Sequence, residues 1–138
     1  MDTINIAKIM IPKIFTAYIY ENDTVRQGIE VMTRHGYTAI PVLDSEDRYL
    51  GSVTEGDFLR HIMATGETDK KFHEQFRISQ IFRKDFCPPI NISADPQKVI
   101  DEILNQNFLP IVDDRNVLCG ILTRKGVISA LSESLNKK

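Results

Sequence analysis

The sequence predicts an α/β protein in which one strand–helix–strand–strand–helix unit is built twice. Three observations predict it. First, residues 40–57 read IPVLDSEDRYLGSVTEGD and residues 109–126 read LPIVDDRNVLCGILTRKG, so Pro41, Asp44, Gly51 and Thr54 recur as Pro110, Asp113, Gly120 and Thr123 at a constant spacing of 69, without a gap. Second, apolar runs of strand length alternate with stripes of helical period in both copies. Third, Ile6-Ala-Lys-Ile9-Met10 resembles Ile78-Ser-Gln-Ile81-Phe82 at a spacing of 72. The second copy is therefore three residues shorter, and the loss falls near Arg34, where helix passes into turn and deletions are tolerated. A duplicated unit makes the cleft between two pseudo-symmetric halves the first place to look for function.

Each copy opens with a short helix. In the first, residues 15–20 (FTAYIY) are aromatic and β-branched enough for a strand. Asn22-Asp23-Thr24 supplies capping chemistry, and Val25, Ile29 and Met32 follow as a helical stripe. His35-Gly36 ends that helix, with Gly36 free to take the left-handed position. Residues 38–43 read as an apolar strand, 44–48 as a polar hairpin turn and 49–53 as the returning strand. A helix from Glu55 carries Phe58, Leu59 and Ile62 and ends before Gly66. In the second copy Asp95-Pro96 is a sharp helix start, and Val99, Ile100, Ile103 and Leu104 form its stripe. Residues 108–112 and 117–122 are the paired strands around the turn 113–116, and Val127, Ile128 and Leu131 mark the last helix. The copies span residues 1–66 and 77–138, joined by a polar connector at 67–76 that reads as solvated; the tail from Asn136 is expected to fray.

Composition bounds the function. At 138 residues, 42% hydrophobic and 26% charged, the chain can bury a core without metal or disulfide staples. A net charge of −2 and a pI near 5.9 argue against a general nucleic-acid binder. No apolar run approaches the ~18 residues of a membrane span, and the first residues lack the basic start of a signal peptide. Cys87 and Cys119 form no CxxC and read as two reduced, buried thiols, which points to the cytoplasm. No P-loop, paired metal-binding carboxylates or activated nucleophile is present, so no catalytic residue and no metal ligand is expected. His35, His61 and His73 lack ligand spacing and read as surface or helix-end residues. Arg83-Lys84 reads as solvated, and Asp113-Asp114 as a turn pair.

Three segments carry binding chemistry. Thr54-Glu-Gly-Asp57 is a capping box, Thr54 as N-cap and Asp57 three residues on. The same geometry suits a nucleotide: free N–H groups and a hydroxyl for phosphate, and a carboxylate for both hydroxyls of a ribose. Thr123-Arg-Lys-Gly126 replaces the carboxylate with glycine and places Arg124 and Lys125 in the first helical turn, where cations oppose the helix dipole. A phosphate-binding role explains them better than helix stability does. The third segment is Tyr37-Thr38-Ala39-Ile40-Pro41, a core strand whose first residues enter from a turn.

The order of these elements, with Tyr37-Thr-Ala-Ile-Pro-Val42 and Gly51-Ser-Val-Thr-Glu-Gly-Asp57 in one copy and Phe108-Leu-Pro-Ile-Val112 and Gly120-Ile-Leu-Thr-Arg-Lys-Gly126 in the other, resembles the cystathionine-β-synthase (CBS) domain over nearly the whole chain. The resemblance implies a stand-alone CBS pair: two β-α-β-β-α motifs packed sheet-to-sheet, with no catalytic activity and no cofactor. It implies a regulatory sensor that binds an adenine nucleotide in the cleft between the motifs, signals to a partner protein and forms a homodimer. It assigns ribose contact to Asp57 and the walls of an adenine pocket to Thr16, Ala17, Tyr37, Thr38, Ala39 and Pro41, with Ala17 and Ala39 small enough to admit a flat base. Thr54, Thr123, Arg124 and Lys125 complete the expected site. AMP, ADP or ATP is the first expected ligand, because the segment from Thr54 to Asp57 is intact. Cyclic di-AMP is the alternative, because small stand-alone CBS pairs of this appearance bind it and Arg124 without a following Asp suits two phosphates and no free vicinal diol. A ligand-free docking module is the alternative of another class.

Overall fold

The computed structural model describes residues 4–84 and 86–136. The chain divides into two compact units, Met1–Thr16 with Cys87–Lys138, and Ala17–Phe86. Repeat and unit therefore partition the chain differently. Each unit holds the strands and helices of one copy together with the lead-in segment of the other. Lys137 and Lys138, expected to fray, lie outside the described residues.

Twelve elements are used below: α1 (Ile6–Ile9), β1 (Ile11–Pro12), β2 (Ile19–Tyr20), α2 (Val25–His35), β3 (Ala39–Leu43), β4 (Tyr49–Thr54), α3 (Glu55–Thr65), β5 (Ile90–Asn91), α4 (Pro96–Ile103), β6 (Phe108–Val112), β7 (Leu118–Thr123) and α5 (Arg124–Asn136). In the unit Ala17–Phe86, a sheet runs β2-β3-β4, with β2 parallel and β4 antiparallel to β3. Helix α2 is the crossover that a parallel pair needs. Thr24 and Gln27 cap it reciprocally, and it stops at Gly36 in the left-handed conformation, φ 66°. Its apolar stripe buries Val25 and Met32 against Ile19, Ile40, Val42, Val53 and Phe58. Ile78, from the lead-in of the second copy, fills the same core at 0% exposure, a burial worth about 2–3 kcal/mol.

The other unit repeats this plan in a sheet ordered β1-β7-β6-β5. Its core gathers Ile90, Val99, Ile103, Leu109, Ile111, Leu122 and Val127, and takes Ile4 and Ile6 from the lead-in of the first copy. Strand β1 pairs antiparallel with β7, Ile11 opposite Ile121 and Pro12 opposite Gly120. The equivalent contact in the first unit is a bridge from Arg83 to Ser52. Both crossings run over a glycine. A Cβ on Gly51 would overlap the Arg83 carbonyl, and one on Gly120 would overlap that of Ile11.

Four expectations change. The strand expected over 15–20 is confined to Ile19–Tyr20, and Lys13–Phe15 is a 3-10 turn with Ile14 81% and Phe15 74% exposed. Its ladder reaches only Val42 and Leu43, because the next residue of β3 is Pro41, which has no N–H to donate. Pro110 limits β5 in the same way, to Ile111 and Val112. The connector is structured: Lys70–Gln75 is a 3-10 helix that turns Phe72 and His73 inward and leaves Lys70, Lys71 and Glu74 outside. His73 is 0% exposed rather than a surface histidine, with its Nε2 2.7 Å from the Glu67 carbonyl and rings of His61, Phe72 and Phe76 around it. Of the two thiols, Cys87 is buried and Cys119 only partly so. Burial raises both above the ordinary thiol pKa, for Cys87 against a lowering contact from Gln106.

Candidate functional site

The register of each hairpin brings the expected residues to the start of the helix that follows it. In the unit Ala17–Phe86, Ala39 lies opposite Thr54, and the Glu55 N–H donates to the Thr38 carbonyl at 3.0 Å. Thr38, Ala39, Thr54 and Asp57 thus surround the N-terminus of α3. The capping box is complete: Asp57 N–H donates to Thr54 Oγ1 at 3.1 Å, and Thr54 N–H donates to Asp57 Oδ2 at 2.8 Å. Pro41 is buried deeper in β3, opposite Ser52, and Ala17 is buried in the apolar core. Tyr37 is 45% exposed and stacks on His35, their ring centroids 5.7 Å apart.

Asp57 is 5% exposed, and both of its carboxylate oxygens are engaged. Arg60 Nη2 lies 2.6 Å from Oδ1, Arg83 Nε lies 3.3 Å from the same oxygen, and the Thr54 amide takes Oδ2. Arg83 also points Nη2 at Thr54 Oγ1, 3.5 Å away, and lays its guanidinium over the Phe86 ring at 4.2 Å. The expectation that Arg83 is merely solvated is corrected: its backbone is held at Ser52 by the bridge, which aims the side chain at the α3 N-terminus. Sequence reasoning missed both arginines. Arg60 carried a local signal, an Asp–Arg pair one helical turn apart. Arg83 carried a subtler one, since it stands at the position of Ile11 under the 72-residue spacing.

In the other unit Thr123 lies opposite Phe108, and the Arg124 N–H donates to the Asn107 carbonyl at 3.1 Å. Gly126 N–H donates to Thr123 Oγ1 at 3.0 Å, so the threonine caps α5 without a carboxylate partner. Arg124 turns away from that hydroxyl. Its Nε and Nη2 each donate at 3.2 Å, to the carbonyls of Ile103 and Gln106. It thereby satisfies the open end of α4, a stabilising role that the dipole argument on its own helix did not anticipate. Lys125 is exposed and makes no hydrogen bond or ion pair among the described residues. Thr16 Oγ1 donates to the Lys13 carbonyl at 2.8 Å, beside exposed Ile14 and Phe15. Among the described residues no cluster of three or more His, Cys, Asp or Glu is placed to hold a metal, and no helix is long and apolar enough to cross a membrane.

Comparison with known proteins places this geometry. The family model of the CBS domain matches residues 6–64 and 78–133. The cyclic di-AMP receptor B of Bacillus subtilis is 27% identical over 135 residues, 96% of this chain and 91% of the receptor. The crystal structure of CbpB in complex with c-di-AMP superposes with a TM-score of 0.85 at 22% identity, covering 98% of this chain and 89% of that one. Inosine-5'-monophosphate dehydrogenase of Methanocaldococcus jannaschii is 29% identical over 108 residues, but these are only 20% of the enzyme.

Proposed function

We propose that this chain, which belongs to the CBS domain family, is a non-enzymatic sensor of cyclic di-AMP that passes ligand occupancy to a partner protein. The observation that carries the choice of ligand is the state of the carboxylates. A linear nucleotide offers a vicinal diol, which a carboxylate recognises through two hydrogen bonds. Here Asp57 has both oxygens engaged, and the second copy has Gly126 in its place. In cyclic di-AMP each ribose has its 3'-oxygen in a phosphodiester, so no diol needs a partner. The likeness to cyclic di-AMP receptor B along 91% of its length supports the same ligand. Linear AMP, ADP and ATP, first choice from the sequence, become the second.

Thr123 and the exposed ammonium of Lys125 at the start of α5 offer a seat for phosphate, and the exposed faces of Ile14 and Phe15 offer apolar surface in the same unit. A homodimer is the proposed assembly. Leu59 and Ile128, both 58% exposed, occupy equivalent positions on α3 and α5, and Met63 and Leu135 extend the apolar surface at 73% and 70% exposure. Coupling requires the ligand to favour one arrangement of the assembly over another.

Calorimetric titration with cyclic di-AMP, AMP and ATP at one ionic strength tests the reading. Cyclic di-AMP binds tightest, and at 100 times its dissociation constant it adds about 2.7 kcal/mol of stability. Tighter binding of AMP or ATP restores the linear nucleotide, and a flat response to all three leaves the docking module. Sedimentation of the parent and of Leu59→Glu/Ile128→Glu tests the dimer; an unchanged mass in the variant removes it.

A further inference from the structure

We infer that Arg83 is an internal plug, a specificity-determining side chain that fills the nucleotide-recognition features of the unit Ala17–Phe86 and denies them to linear nucleotides. The inference rests on the reading of the chain as a nucleotide sensor. Three features near the start of α3 suit a nucleotide: a carboxylate for the ribose, a threonine hydroxyl for phosphate, and an aromatic ring for the base. One side chain engages all three. Arg83 Nε reaches Asp57 Oδ1 at 3.3 Å, its Nη2 faces Thr54 Oγ1 at 3.5 Å, and its guanidinium covers Phe86 at 4.2 Å. A planar cation stacks on an aromatic ring as a base does. Arg60, 2.6 Å from the same carboxylate oxygen, closes the remaining side.

The internal symmetry argues that this is a matched set. Ile11 stands against Ile121 where Arg83 stands against Ser52, and Gly126 stands where Asp57 does. The unit that has the carboxylate has the arginine, and the unit that lacks one lacks both. A cation kept only for solubility would have no reason to follow the carboxylate. The backbone bridge at Ser52 holds the guanidinium near Asp57 when no ligand is bound, and a nucleotide diol must displace it. The side chain of Arg83 is 49% exposed while that of Asp57 is 3% exposed, so the arginine can leave and the acid cannot.

The test is AMP binding to Arg83→Met, which keeps an apolar stem over Phe86 and leaves Arg60 to neutralise Asp57, so no buried charge is stranded. AMP binds this variant about 3-fold tighter than the parent, and Arg60→Met/Arg83→Met at least about 10-fold tighter, as expected from removing half-exposed ion pairs. The gain is smaller for 3'-deoxy-AMP, which has no diol, and is reduced by adding Asp57→Asn, because only the carboxylate part of the plug is then read. Folding is checked by melting of each variant, and the single substitution suffices if the double one unfolds. Parent-like AMP affinity in the folded single and double variants overturns the plug, as does a gain of undiminished size for 3'-deoxy-AMP or in Asp57→Asn. Cyclic di-AMP is titrated separately: its failure to bind the parent removes the proposed ligand and leaves the AMP comparison standing.

Discussion

A methyl group on Gly120 is the smallest change that tests how the lead-in segment is fastened to its unit. Gly120 lies in β7 opposite Pro12, and its Cα faces the backbone of β1 so closely that a Cβ would overlap the Ile11 carbonyl oxygen and come 3.1 Å from both the Ile11 carbonyl carbon and the Met10 sulfur. The sulfur can swing away; the carbonyl cannot, because the ladder to Ile121 fixes it. Carbon and carbonyl oxygen meet comfortably at about 3.3–3.6 Å, so β1 must retreat by on the order of 1 Å. That retreat weakens the short ladder, at about 1 kcal/mol per hydrogen bond, and adds the ~1–3 kcal/mol of an overpacked contact. Gly120→Ala therefore destabilises by about 2–4 kcal/mol, a loss of roughly 10 °C in Tm for a chain of this size. Gly36→Ala is the control. Gly36 also resists substitution, through φ of +66°, but nothing stands within 4 Å of its Cβ position, so its cost is backbone strain alone, about 1 kcal/mol. Urea unfolding measures both, and amide exchange at Ile11 and Ile121 reports β1 directly. A Gly120→Ala variant as stable as Gly36→Ala, with unchanged exchange at Ile121, refutes the close-approach account.

Stability should also fall on mild acidification. Burial, followed by the neighbouring His73, depresses the His61 pKa below its ordinary 6.5. The unfolded chain then binds the proton more readily, so stability is fully present above pH 6.5 and declines below it. Tm measured at pH 7.5 and 5.5 should drop by less in His61→Phe than in the parent, and equal slopes would dismiss the pair as its cause. Arg124→Ala loses both guanidinium contacts at the end of α4 and should cost about 1 kcal/mol, read by urea unfolding. Arg124→Lys should recover little of it, because an ammonium lacks the fork that spans the carbonyls of Ile103 and Gln106. Tyr20 donates to Asp47 at 2.6 Å, and that bond, ahead of burial, pushes its phenol well above the ordinary tyrosine range. Tyr20 should therefore ionise late in an ultraviolet alkaline titration, and Tyr20→Phe should remove that late component.

What the sequence made legible was set locally. The stripe Val25, Ile29, Met32 and the stop at Gly36 follow from helical period and a left-handed glycine, and the capping chemistry expected at 22–24 resolves to Thr24 with Gln27. The hairpins around Asp44 and Asp113 follow from apolar runs flanking a turn. The geometry from Thr54 to Asp57 was legible too, because a capping box is a four-residue device. Its occupancy was not. Arg83 reaches Asp57 only through the bridge to Ser52, a pairing 31 positions apart that no local rule encodes. The connector failed for a related reason. Phe72, His73 and Phe76 sit among lysines and glutamates and read as scattered, yet they close on His61 and on α2, where Val25 N–H donates to the Phe76 carbonyl at 2.8 Å.

The duplication is better understood as an exchange than as a tandem. Were the two copies independent modules, each lead-in would complete its own copy, and a cut between 66 and 77 would release two whole units. Instead Ile78 fills the core of the first copy and Ile4 and Ile6 fill that of the second. Each unit buries apolar side chains from both halves of the sequence. A fragment ending at Gly66 therefore lacks Ile78 and the Arg83 bridge of its own unit while carrying a lead-in that belongs to the other. The exchange also places the chain crossings at Thr16–Ala17 and Phe86–Cys87. Those crossings lie beside exposed Phe15 in one unit and Phe86 under Arg83 in the other.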